Sequence, residues 1–390
     1  MSADTAPLPG LDLPAVAPRT VQVLVPLPLA GPYTYLAPDD LDLGPGDYVT
    51  VPLGPRHLRG VVWDGAPAAG LDPKKLKPVL ERLDAPPLSA EVRRFVDWVA
   101  SYTLFPQGAV LRMVMRSGTQ LDPPRPQTGY LAATVPDNVR ITPQRQKVLD
   151  AAKGLNFPES AAELARRAGV SDGVVRSLAQ AGALMAIETD PDAPFEPPNP
   201  HRRGKALSPQ QEDAAARIRA GVEAGAFACT LIDGVTGSGK TEVYLEAAAA
   251  ALKADPTAQV LVMLPEIALT LPFLKRLEDR FGAAPAPWHS DVGEAGRRRT
   301  WRRVADGSAR LVVGARSALF LPYRNLKLII VDEEHDPAYK QQDGVLYQAR
   351  DMAIARAAQG QFPIVLASAT PSLETAVNAA SGRFDTVALP

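Results

Sequence analysis

The residues best suited to chemistry in this sequence form a glycine-rich loop between a strand-like run and a helical run. Residues 234–241 read Gly-Val-Thr-Gly-Ser-Gly-Lys-Thr, follow the apolar Leu231 and Ile232, and precede an alanine-rich stretch typical of a helix. Backbone N–H groups of such a loop close around phosphate oxygens, and the helix N-terminus adds positive potential. A glycine-rich structural turn is the alternative, but these flanks favour a nucleotide-binding P-loop.

The residue types in this loop assign roles to individual positions. Lys240 reaches the β- and γ-phosphates, and the Thr241 hydroxyl is placed to bind Mg²⁺. We therefore expect ATP and Mg²⁺ as cofactors, with Lys240 as a catalytic residue. The predicted nucleotide-binding residues are Gln211, Gly234, Thr236, Gly237, Ser238, Gly239, Lys240 and Thr241.

A second group of polar residues follows a buried-strand pattern further along the chain. Residues 328–331 are apolar and lead directly into Asp332, Glu333, Glu334 and His335. Beside a P-loop, Asp332 would hold Mg²⁺ through water, and Glu333 would orient and deprotonate the attacking water. A solvated charge run at a strand end is the alternative, which the preceding apolar residues disfavour.

Hydroxyl residues follow another apolar strand pattern near the end of the sequence. Ser368 and Thr370 come directly after residues 364–366 and are suited to link the acidic site to bound nucleic acid by hydrogen bonding. Alone this pattern is weak, but with the P-loop and the acidic strand it is typical of helicase-type ATPases of superfamily 2. Such proteins place an adenine-reading glutamine at the position of Gln211, for which a surface glutamine is the alternative.

Other polar residues follow strands at the same expected sheet edge, where ligands bind in open α/β folds. Backbone amides, Thr270, Arg316 and Ser317 would hold DNA phosphates there. Residues 297–303 are strongly basic and include one tryptophan. A solvated helix face and a DNA contact are alternatives for this basic stretch.

Composition limits the class of protein. The 390 residues exceed one compact domain, and 46% hydrophobic with 22% charged residues is ordinary for a soluble globular protein. The formal net charge of −1 means that DNA binding must rest on local patches. The single cysteine, Cys229, excludes an internal disulfide and a cysteine-rich zinc site. No signal-peptide pattern or membrane-length apolar run is present, which predicts a cytoplasmic protein.

Element patterns divide the chain into five segments. Residues 1–18 are predicted as a disordered lead, and residues 19–122 as a small β-rich domain closed by a helix. Residues 123–190 carry three short helices and a strand, which suggests a winged helix; their balanced charge leaves DNA contact and partner docking as alternatives. Residues 191–204 form a proline-rich linker. Alternating helix and strand patterns over 205–390 predict a doubly wound parallel α/β sheet.

The sequence resembles the primosomal protein N′ (PriA) family of bacterial replication-restart helicases. The matching segments are residues 234–245, 265–267 with 269–270, 288–290, 316–320, 332–336 and 339–342, and the resemblance extends more weakly over the whole chain. It implies an OB-like β-barrel that binds the 3′ end of a nascent leading strand, a winged helix, and a RecA-like helicase lobe 1. It also implies an ATP-dependent 3′–5′ DNA helicase that recognises abandoned forks and starts primosome assembly.

The resemblance implies partners and further site residues. Expected partners are forked and single-stranded DNA, primosome proteins and single-stranded-DNA-binding protein, with the chain a monomer that has no membrane contact. Coupling between DNA and hydrolysis is assigned to residues on the DNA track. These are Thr270, Arg316, Ser317, His335, Tyr339, Lys340, Ser368 and Thr370.

In this family an aromatic–acid–aromatic triplet forms the pocket for the DNA 3′ end. Tyr33 and Tyr35 supply the two aromatic positions, and their faces are expected to stack on a terminal base. Thr34 replaces the acid, so the usual hydrogen bonding to the 3′-hydroxyl is lost unless the Thr34 hydroxyl supplies it. Gly54 and Lys77 fit the other pocket positions.

Two departures from the family pattern lower the expected activity. Val345 and Leu346 stand where the family tends to have an aromatic and a basic residue, so coupling of DNA contact to hydrolysis is expected to be weak. The sequence stops at Pro390, before the zinc-binding cysteines and the arginine-bearing second lobe of the family. We therefore expect binding of ATP–Mg²⁺ and DNA without zinc, slow hydrolysis, and little or no helicase activity by this chain alone.

Two other classes of protein are alternatives to this function. A non-enzymatic fork-binding scaffold would retain the P-loop without using it, and DNA-stimulated ATPase activity separates this scaffold from a helicase. A P-loop kinase or transporter ATPase is disfavoured, because neither explains the acidic strand together with Ser368 and Thr370.

Overall fold

The chain folds as two units, for which a computed structural model describes residues 19–66, 71–116, 118–122, 126–153, 155, 158–190 and 192–390. One unit comprises Met1–Arg116 with Gln342–Leu346, and the other comprises Ser117–Gln341 with Tyr347–Pro390. The predicted disordered lead over residues 1–18 lies outside the described residues. Within the described ranges, no helix combines the length and the apolar character needed to cross a membrane.

An antiparallel sheet forms the first unit, with strand order β2-β1-β4-β3-β5. Val23, Val49, Val51 and Val62 are buried on one face of it and form the core of the unit. The elements are β1 (Thr20–Leu24), β2 (Tyr33–Leu36), β3 (Tyr48–Leu53), β4 (Arg56–Trp63), β5 (Glu81–Arg82), α1 (Ala90–Thr103) and α2 (Gln107–Met115).

Backbone hydrogen bonds join the two edges of this sheet. Leu36, at the end of edge strand β2, donates its N–H to the Lys77 carbonyl over 2.9 Å and accepts from the Val79 N–H over 3.0 Å. Residues 77–79 lead into β5, the opposite edge strand. The sheet therefore curls until its edges meet, which shortens the length of unpaired strand edge.

Three helices pack on a small antiparallel sheet with strand order β7-β6-β8 in the first part of the second unit. Ser160 and Glu163 form a capping box at the start of α4. Val148, Leu164 and Val175 are fully buried in the core of this part. The elements are β6 (Gln127–Ala132), α3 (Pro143–Lys153), β7 (Glu159–Ser160), α4 (Ala161–Ala168), α5 (Asp172–Gln180) and β8 (Leu184–Thr189).

A parallel sheet of seven strands forms the rest of the second unit, in the order β11-β12-β10-β13-β16-β9-β17. The predicted parallel α/β sheet is therefore confirmed. The elements are α6 (Pro209–Glu223), β9 (Cys229–Gly234), α7 (Lys240–Ala254), β10 (Gln259–Met263), α8 (Leu271–Phe281), β11 (Ala286–Trp288), α9 (Glu294–Ala305), β12 (Leu311–Gly314), β13 (Leu326–Asp332), β14 (Lys340–Gln341), β15 (Tyr347–Gln348), α10 (Ala349–Gly360), β16 (Ile364–Ser368), α11 (Leu373–Ala380) and β17 (Asp385–Leu389).

The central strands of this sheet carry the apolar runs that made it predictable. β10, β13 and β16 are buried along nearly their whole length, as parallel strands covered on both faces must be. β11 and β17 extend the sheet at its two edges beyond the predicted strands. β11 has only three residues, and β17 alternates between exposed and buried residues, so neither shows a continuous apolar run.

Two ion pairs join the helix after the P-loop to α8. Arg276 donates to the Glu242 carboxylate over 2.6 Å, and Arg280 donates to Glu246 over 2.9 Å. The partners are four residues apart on each helix, so the two pairs stack one helical turn apart. α7 and α8 are thereby held together along one side, and the N-cap of α8 is Thr270.

The basic stretch over 297–303 lies in α9 and binds chain segments of its own unit. The Nε atoms of Arg298 and Arg302 lie 3.2 and 3.5 Å from the two carboxylate oxygens of Asp192, a residue that is 2% exposed. Arg302 also donates to the carbonyls of Gln120 and Asp122 over 3.2 and 2.8 Å. Gln120 and Asp122 precede the three-helix part in sequence, and Asp192 follows it. Helix α9 therefore contacts the chain at both ends of the three-helix part. Neither predicted alternative, a solvated face or a DNA contact, describes these arginines.

Asp192→Ala is expected to lower the free energy of unfolding by about 3 kcal/mol, because it leaves two largely buried guanidinium groups without an opposing charge. Urea denaturation followed by far-UV circular dichroism measures the change. Asp279→Ala is the control, because Asp279 pairs with Lys275 on α8 but its side chain is 64% exposed. Its loss should change stability by no more than about 0.5 kcal/mol. Equal effects of the two substitutions would contradict a buried clamp at Asp192.

Candidate functional site

The predicted phosphate-binding glycines lie in the loop between β9 and α7. Gly237 and Gly239 both have φ of +88°, in the left-handed region that favours glycine. A Cβ added to Gly239 would also lie 2.3 Å from Gln211 Nε2. α7 begins at Lys240, so the loop ends at a helix N-terminus, which favours binding of an anion.

Lys240 and Ser238 supply polar groups to this loop. Lys240 is 7% exposed, and its ammonium donates to the carbonyls of Gly234 and Val235 over 2.8 and 3.2 Å. Ser238 Oγ is buried and has no hydrogen-bond partner among the residues that the structure describes. Thr236 is exposed on the loop. An ammonium, an unpartnered hydroxyl and a glycine-rich backbone together fit a polyphosphate, whose oxygens accept hydrogen bonds from all three.

Gln211 ties α6 to the P-loop. Its Oε1 accepts from the Ser208 N–H over 2.9 Å in a capping box, and its Nε2 donates to the Ser238 carbonyl over 2.8 Å. The amide therefore lies beside the loop and is fixed at both ends. Its predicted contact with adenine stays a prediction.

Asp332 ends β13 with its carboxylate held by two donors. The residue is 8% exposed, its Oδ2 accepts from the Tyr244 hydroxyl over 2.8 Å, and its Oδ1 accepts from the Glu333 N–H over 3.0 Å. Burial raises the pKa of the Asp332 carboxyl, and the hydrogen bond from Tyr244 opposes that rise. Tyr244 was not predicted as a site residue. Its spacing of four from Lys240, which puts both on one helix face, is the signal that could have found it.

The residues after Asp332 connect the acidic strand to the end of β16. Glu333 has φ of +48°, a left-handed turn that is uncommon for glutamate, and its side chain is 37% exposed. His335 Nδ1 lies 2.8 Å from Ser368 Oγ, which also accepts from the Thr370 N–H over 3.1 Å. The segment after the acidic strand and the predicted hydroxyl residues are therefore joined by a direct hydrogen bond, which His335 makes rather than a carboxylate.

Glu334, to which no role was assigned from the sequence, is fully buried in a polar cluster. Its carboxylate accepts from the Arg350 guanidinium over 3.1 Å, from the Ser372 N–H over 2.7 Å and from the Thr375 hydroxyl over 3.0 Å. These partners belong to α10 and to the start of α11. The cluster fixes the turn after β13 to the segment after β16, and no local pattern in the sequence indicated it.

Tyr339 and Arg316 organise a second part of the same sheet edge. The Tyr339 hydroxyl lies 2.7 Å from the Asp332 carbonyl oxygen and 3.0 Å from the Met263 carbonyl oxygen, so its one hydrogen is shared between two acceptors, and the residue is 1% exposed. The Arg316 guanidinium donates to the carbonyls of Ala338 and Lys340 over 2.8 and 3.2 Å. Because Tyr339 is buried, it would act in coupling through these backbone contacts rather than by touching DNA, and this role stays a prediction.

The other predicted track residues lie in the same region of the sheet or beside it. Ser317 Oγ accepts from the Trp288 indole N–H over 3.2 Å. Thr270 and Lys340 are exposed. A shallow recess lies between the ends of the strands and the Tyr339 turn. It is lined by Leu264, Pro265, Glu266, Ala315, Arg316, Ala338 and Tyr339.

Thr241 and Asp332 are the residues that would hold Mg²⁺. Across the described part of the chain, no group of three or more His, Cys, Asp or Glu side chains could hold a metal ion by itself. A hydroxyl and a carboxylate beside a phosphate-binding loop supply hard oxygen ligands, and Mg²⁺ is commonly bound by one or two carboxylates plus substrate phosphates. The donor set therefore fits Mg²⁺ in complex with a nucleotide.

The predicted 3′-end pocket residues lie near one another in the first unit. Tyr33 is 41% exposed on β2, whereas Tyr35 is 4% exposed and its hydroxyl donates to the Pro52 carbonyl over 3.2 Å. Lys77 Nζ donates to the Gly54 carbonyl over 3.4 Å, at a turn where Gly54 has φ of +58°. The expectation that both tyrosine faces are available to a base is wrong for Tyr35, because that ring is part of the core.

Thr34 is already engaged with a neighbouring strand. Its Oγ1 accepts from Gln22 Nε2 over 2.9 Å, and Gln22 is its register partner on β1. Successive residues of a strand point to opposite faces, so Thr34 points away from the face of Tyr33 and Tyr35. A hydrogen bond from Thr34 to a DNA 3′-hydroxyl stays a prediction, and it would require a change in this arrangement.

Two family models each match a part of the chain. The model described as "3'DNA-binding domain (3'BD)" of PriA matches residues 22–116, and the model described as "DEAD/DEAH box helicase" matches residues 208–379. The chain is therefore similar to a 3′DNA-binding domain followed by a helicase domain, and the second match falls on the parallel seven-stranded sheet.

Curated relatives that are similar to the chain are described as the replication restart protein PriA. The chain is 33% identical to that of Rickettsia conorii over 95% of this chain, and 34% identical to that of Chlamydia pneumoniae over 90%. It spans about half of these relatives, 46% and 48% of their lengths. The solved structure of RecG bound to a three-way DNA junction has a TM-score of 0.35 at 20% identity, over 48% of this chain and 24% of that chain, which is too distant to inform function.

Asp332→Asn is expected to stabilise the protein in EDTA at neutral pH by on the order of 1 kcal/mol. Burial raises the folded-state pKa of Asp332, so the ionised carboxylate destabilises the fold once the pH exceeds the pKa of the unfolded chain. The gain from the substitution should therefore vanish near about pH 3, where the carboxyl is protonated in both states. Urea denaturation at the two pH values measures it. A gain of equal size at both values would contradict burial as the cause.

Proposed function

We propose that this chain is a PriA-type replication-restart protein that recognises abandoned replication forks through the DNA 3′ end and holds ATP–Mg²⁺ in helicase lobe 1. One observation carries the proposal: the P-loop, Asp332 and Ser368 lie at the carboxyl ends of adjacent parallel strands in a chain that also matches a 3′DNA-binding domain. Its partners are forked and single-stranded DNA, primosome proteins and single-stranded-DNA-binding protein. It acts as a monomer in the cytoplasm.

Each part of the fold corresponds to one module of a PriA-type protein in this proposal. Residues 19–122 are the OB-like barrel, supported by the curled sheet whose edges are joined at Leu36. Residues 123–190 are the winged helix, supported by three helices on a three-stranded sheet. Residues 191–204 are the linker, and residues 205–390 are the RecA-like lobe 1.

Nucleotide binding uses groups that already lie at the P-loop. The Lys240 ammonium would exchange its two backbone carbonyls for phosphate oxygens, and the loop N–H groups would take the others. Thr241 and Asp332 would hold Mg²⁺, which neutralises phosphate charge when bound. Gln211 would read the adenine from its place beside Ser238.

Hydrolysis and its coupling to DNA use the residues after Asp332. The half-exposed Glu333 carboxylate would orient and deprotonate the attacking water. The hydrogen bond between His335 and Ser368 would couple nucleotide binding at the acidic site to the position of the segment that carries Thr370. Arg316, Ser317, Lys340 and Thr270 would contact the DNA strand. Because Val345 is buried and Val345 and Leu346 replace an aromatic and a basic residue of the family, we expect weak coupling and little or no unwinding by this chain alone.

Recognition of the DNA 3′ end uses the exposed face of Tyr33. This ring would stack on the terminal base, and the Lys77 ammonium beside Gly54 would face the terminal phosphodiester. Tyr35 contributes from beneath, because its hydroxyl holds the strand end at Pro52. Tyr33 is thus the residue on which the stacking energy depends.

Lys240→Ala is expected to weaken ATP binding about 10- to 100-fold, because charge-assisted hydrogen bonds contribute about 1.5–3 kcal/mol. Isothermal titration of the chain with ATP and Mg²⁺ measures this. Lys253→Ala, at the exposed end of the same helix, is the control and should bind as the unaltered chain does. Equal affinities for all three proteins would rule out a nucleotide site at the P-loop.

DNA-stimulated phosphate release separates the helicase-type protein from a fork-binding scaffold with an unused P-loop. Phosphate release that rises with added single-stranded DNA and is lost in Lys240→Ala supports the first. Fork binding without any release above that of Lys240→Ala supports the scaffold, for which the polar groups at Asp332 would have only a structural role.

Tyr33→Ala is expected to weaken binding to a fork with a 3′-hydroxyl at the junction about 5- to 100-fold, because base stacking on an aromatic ring contributes about 1–3 kcal/mol. Fluorescence anisotropy with labelled forks measures this, with a 3′-phosphate fork and a plain duplex for comparison. Tyr102→Ala is the control, since Tyr102 is also an exposed tyrosine of this unit, 63% exposed on α1. Equal affinity of the unaltered chain for fork and duplex would exclude fork recognition.

A further inference from the structure

The Tyr244 hydroxyl contacts one of the two residues expected to hold Mg²⁺. It donates to Asp332 Oδ2 over 2.8 Å. Tyr244 is 0% exposed and lies on α7, three residues after Thr241, the other expected ligand. A single buried phenol therefore joins the helix that follows the P-loop to the acidic residue at the end of β13.

We propose that Tyr244 is a positioning residue that orients the Asp332 carboxylate for Mg²⁺ without binding the ion itself. The proposal rests on the nucleotide site proposed above. Tyr244, which lies outside the P-loop and the acidic strand, would then help to set the affinity for Mg²⁺.

Orientation of the carboxylate is the property that the hydroxyl controls. Asp332 Oδ1 is held by the Glu333 N–H, so the bond from Tyr244 fixes the second oxygen and restricts rotation of the carboxylate. A carboxylate oxygen has two lone pairs, so Oδ2 can still accept from water bound to the ion. Partners of this kind fix the orientation of a metal ligand, and their loss typically lowers metal affinity about 10- to 100-fold.

The core of this unit holds the Tyr244 hydroxyl in place. Because the aromatic ring is packed in the buried core, the hydroxyl has little freedom to move. The phenol thus transmits the rigidity of the core to the Asp332 carboxylate.

Tyr244→Phe tests the proposal, because it removes the hydroxyl and keeps the ring. The probe is N-methylanthraniloyl-ADP, whose binding is followed by fluorescence in EDTA and at increasing Mg²⁺ concentration. Affinity in EDTA should change less than about twofold. The Mg²⁺ concentration that gives half of the metal-dependent gain in affinity should rise about tenfold.

Tyr323→Phe is the matched control, because it removes another buried tyrosine hydroxyl, one that donates to the Ala318 carbonyl over 3.3 Å. Its half-saturating Mg²⁺ concentration should equal that of the unaltered chain. An unchanged or lower value for Tyr244→Phe would overturn the positioning role. Absence of nucleotide binding by the unaltered chain would overturn the nucleotide site itself and this inference with it.

A double substitution distinguishes action through Asp332 from general damage. In an Asp332→Asn chain, adding Tyr244→Phe should leave the remaining Mg²⁺ dependence unchanged, because the carboxylate that the hydroxyl orients has already gone. An additional tenfold effect of Tyr244→Phe in that background would show that the hydroxyl acts elsewhere and would contradict the proposal. Far-UV circular dichroism of each variant confirms that the fold is retained.

Discussion

Parallel pairing of β9, β16 and β13 is the constraint on which the nucleotide site depends. In this register Asp332 lies opposite Ala367, and Ser368 lies opposite Asp233, one residue before the P-loop motif begins. Three segments that are distant in sequence therefore reach the same sheet edge at the same level. A shift of one residue in either pairing would turn Asp332 or Ser368 to the opposite face of the sheet and separate the groups.

Buried side-chain hydrogen bonds then fix what the strands bring together. Tyr244 holds the Asp332 carboxylate, Tyr339 holds its backbone carbonyl, and Glu334 fixes the following turn to the start of α11. Each of these groups is buried, where a polar group must find a partner or cost stability. The half-exposed Glu333 differs from them, since it occupies a left-handed conformation that the surrounding bonds hold in place. The accessible Glu333 carboxylate thus lies next to buried side chains that are fixed by hydrogen bonds.

The sheet and the P-loop could be predicted because both follow from local patterns. A continuous apolar run indicates a buried parallel strand, and the glycine spacing indicates a phosphate loop. Pairing over long sequence distances could not be predicted in this way. The arginines of α9 were predicted either as a solvated face or as a DNA contact, because their partner Asp192 lies far away in sequence. Tyr35 looked like the equal of Tyr33, but its burial depends on how the sheet curls. The only indication in the sequence that Tyr244 belongs to the site was its spacing from Lys240.

The structure of the chain in complex with ADP, beryllium fluoride and Mg²⁺ tests the central claim most directly. The expected result places the phosphates against the N–H groups of residues 237–241. The metal should lie beside Thr241 and Asp332, with the Tyr244 hydroxyl still on Asp332. Lys240 should have left the Gly234 carbonyl, which it contacts at 2.8 Å without nucleotide. A complex in which the nucleotide binds elsewhere, or in which Lys240 keeps that contact, would contradict a functional P-loop site.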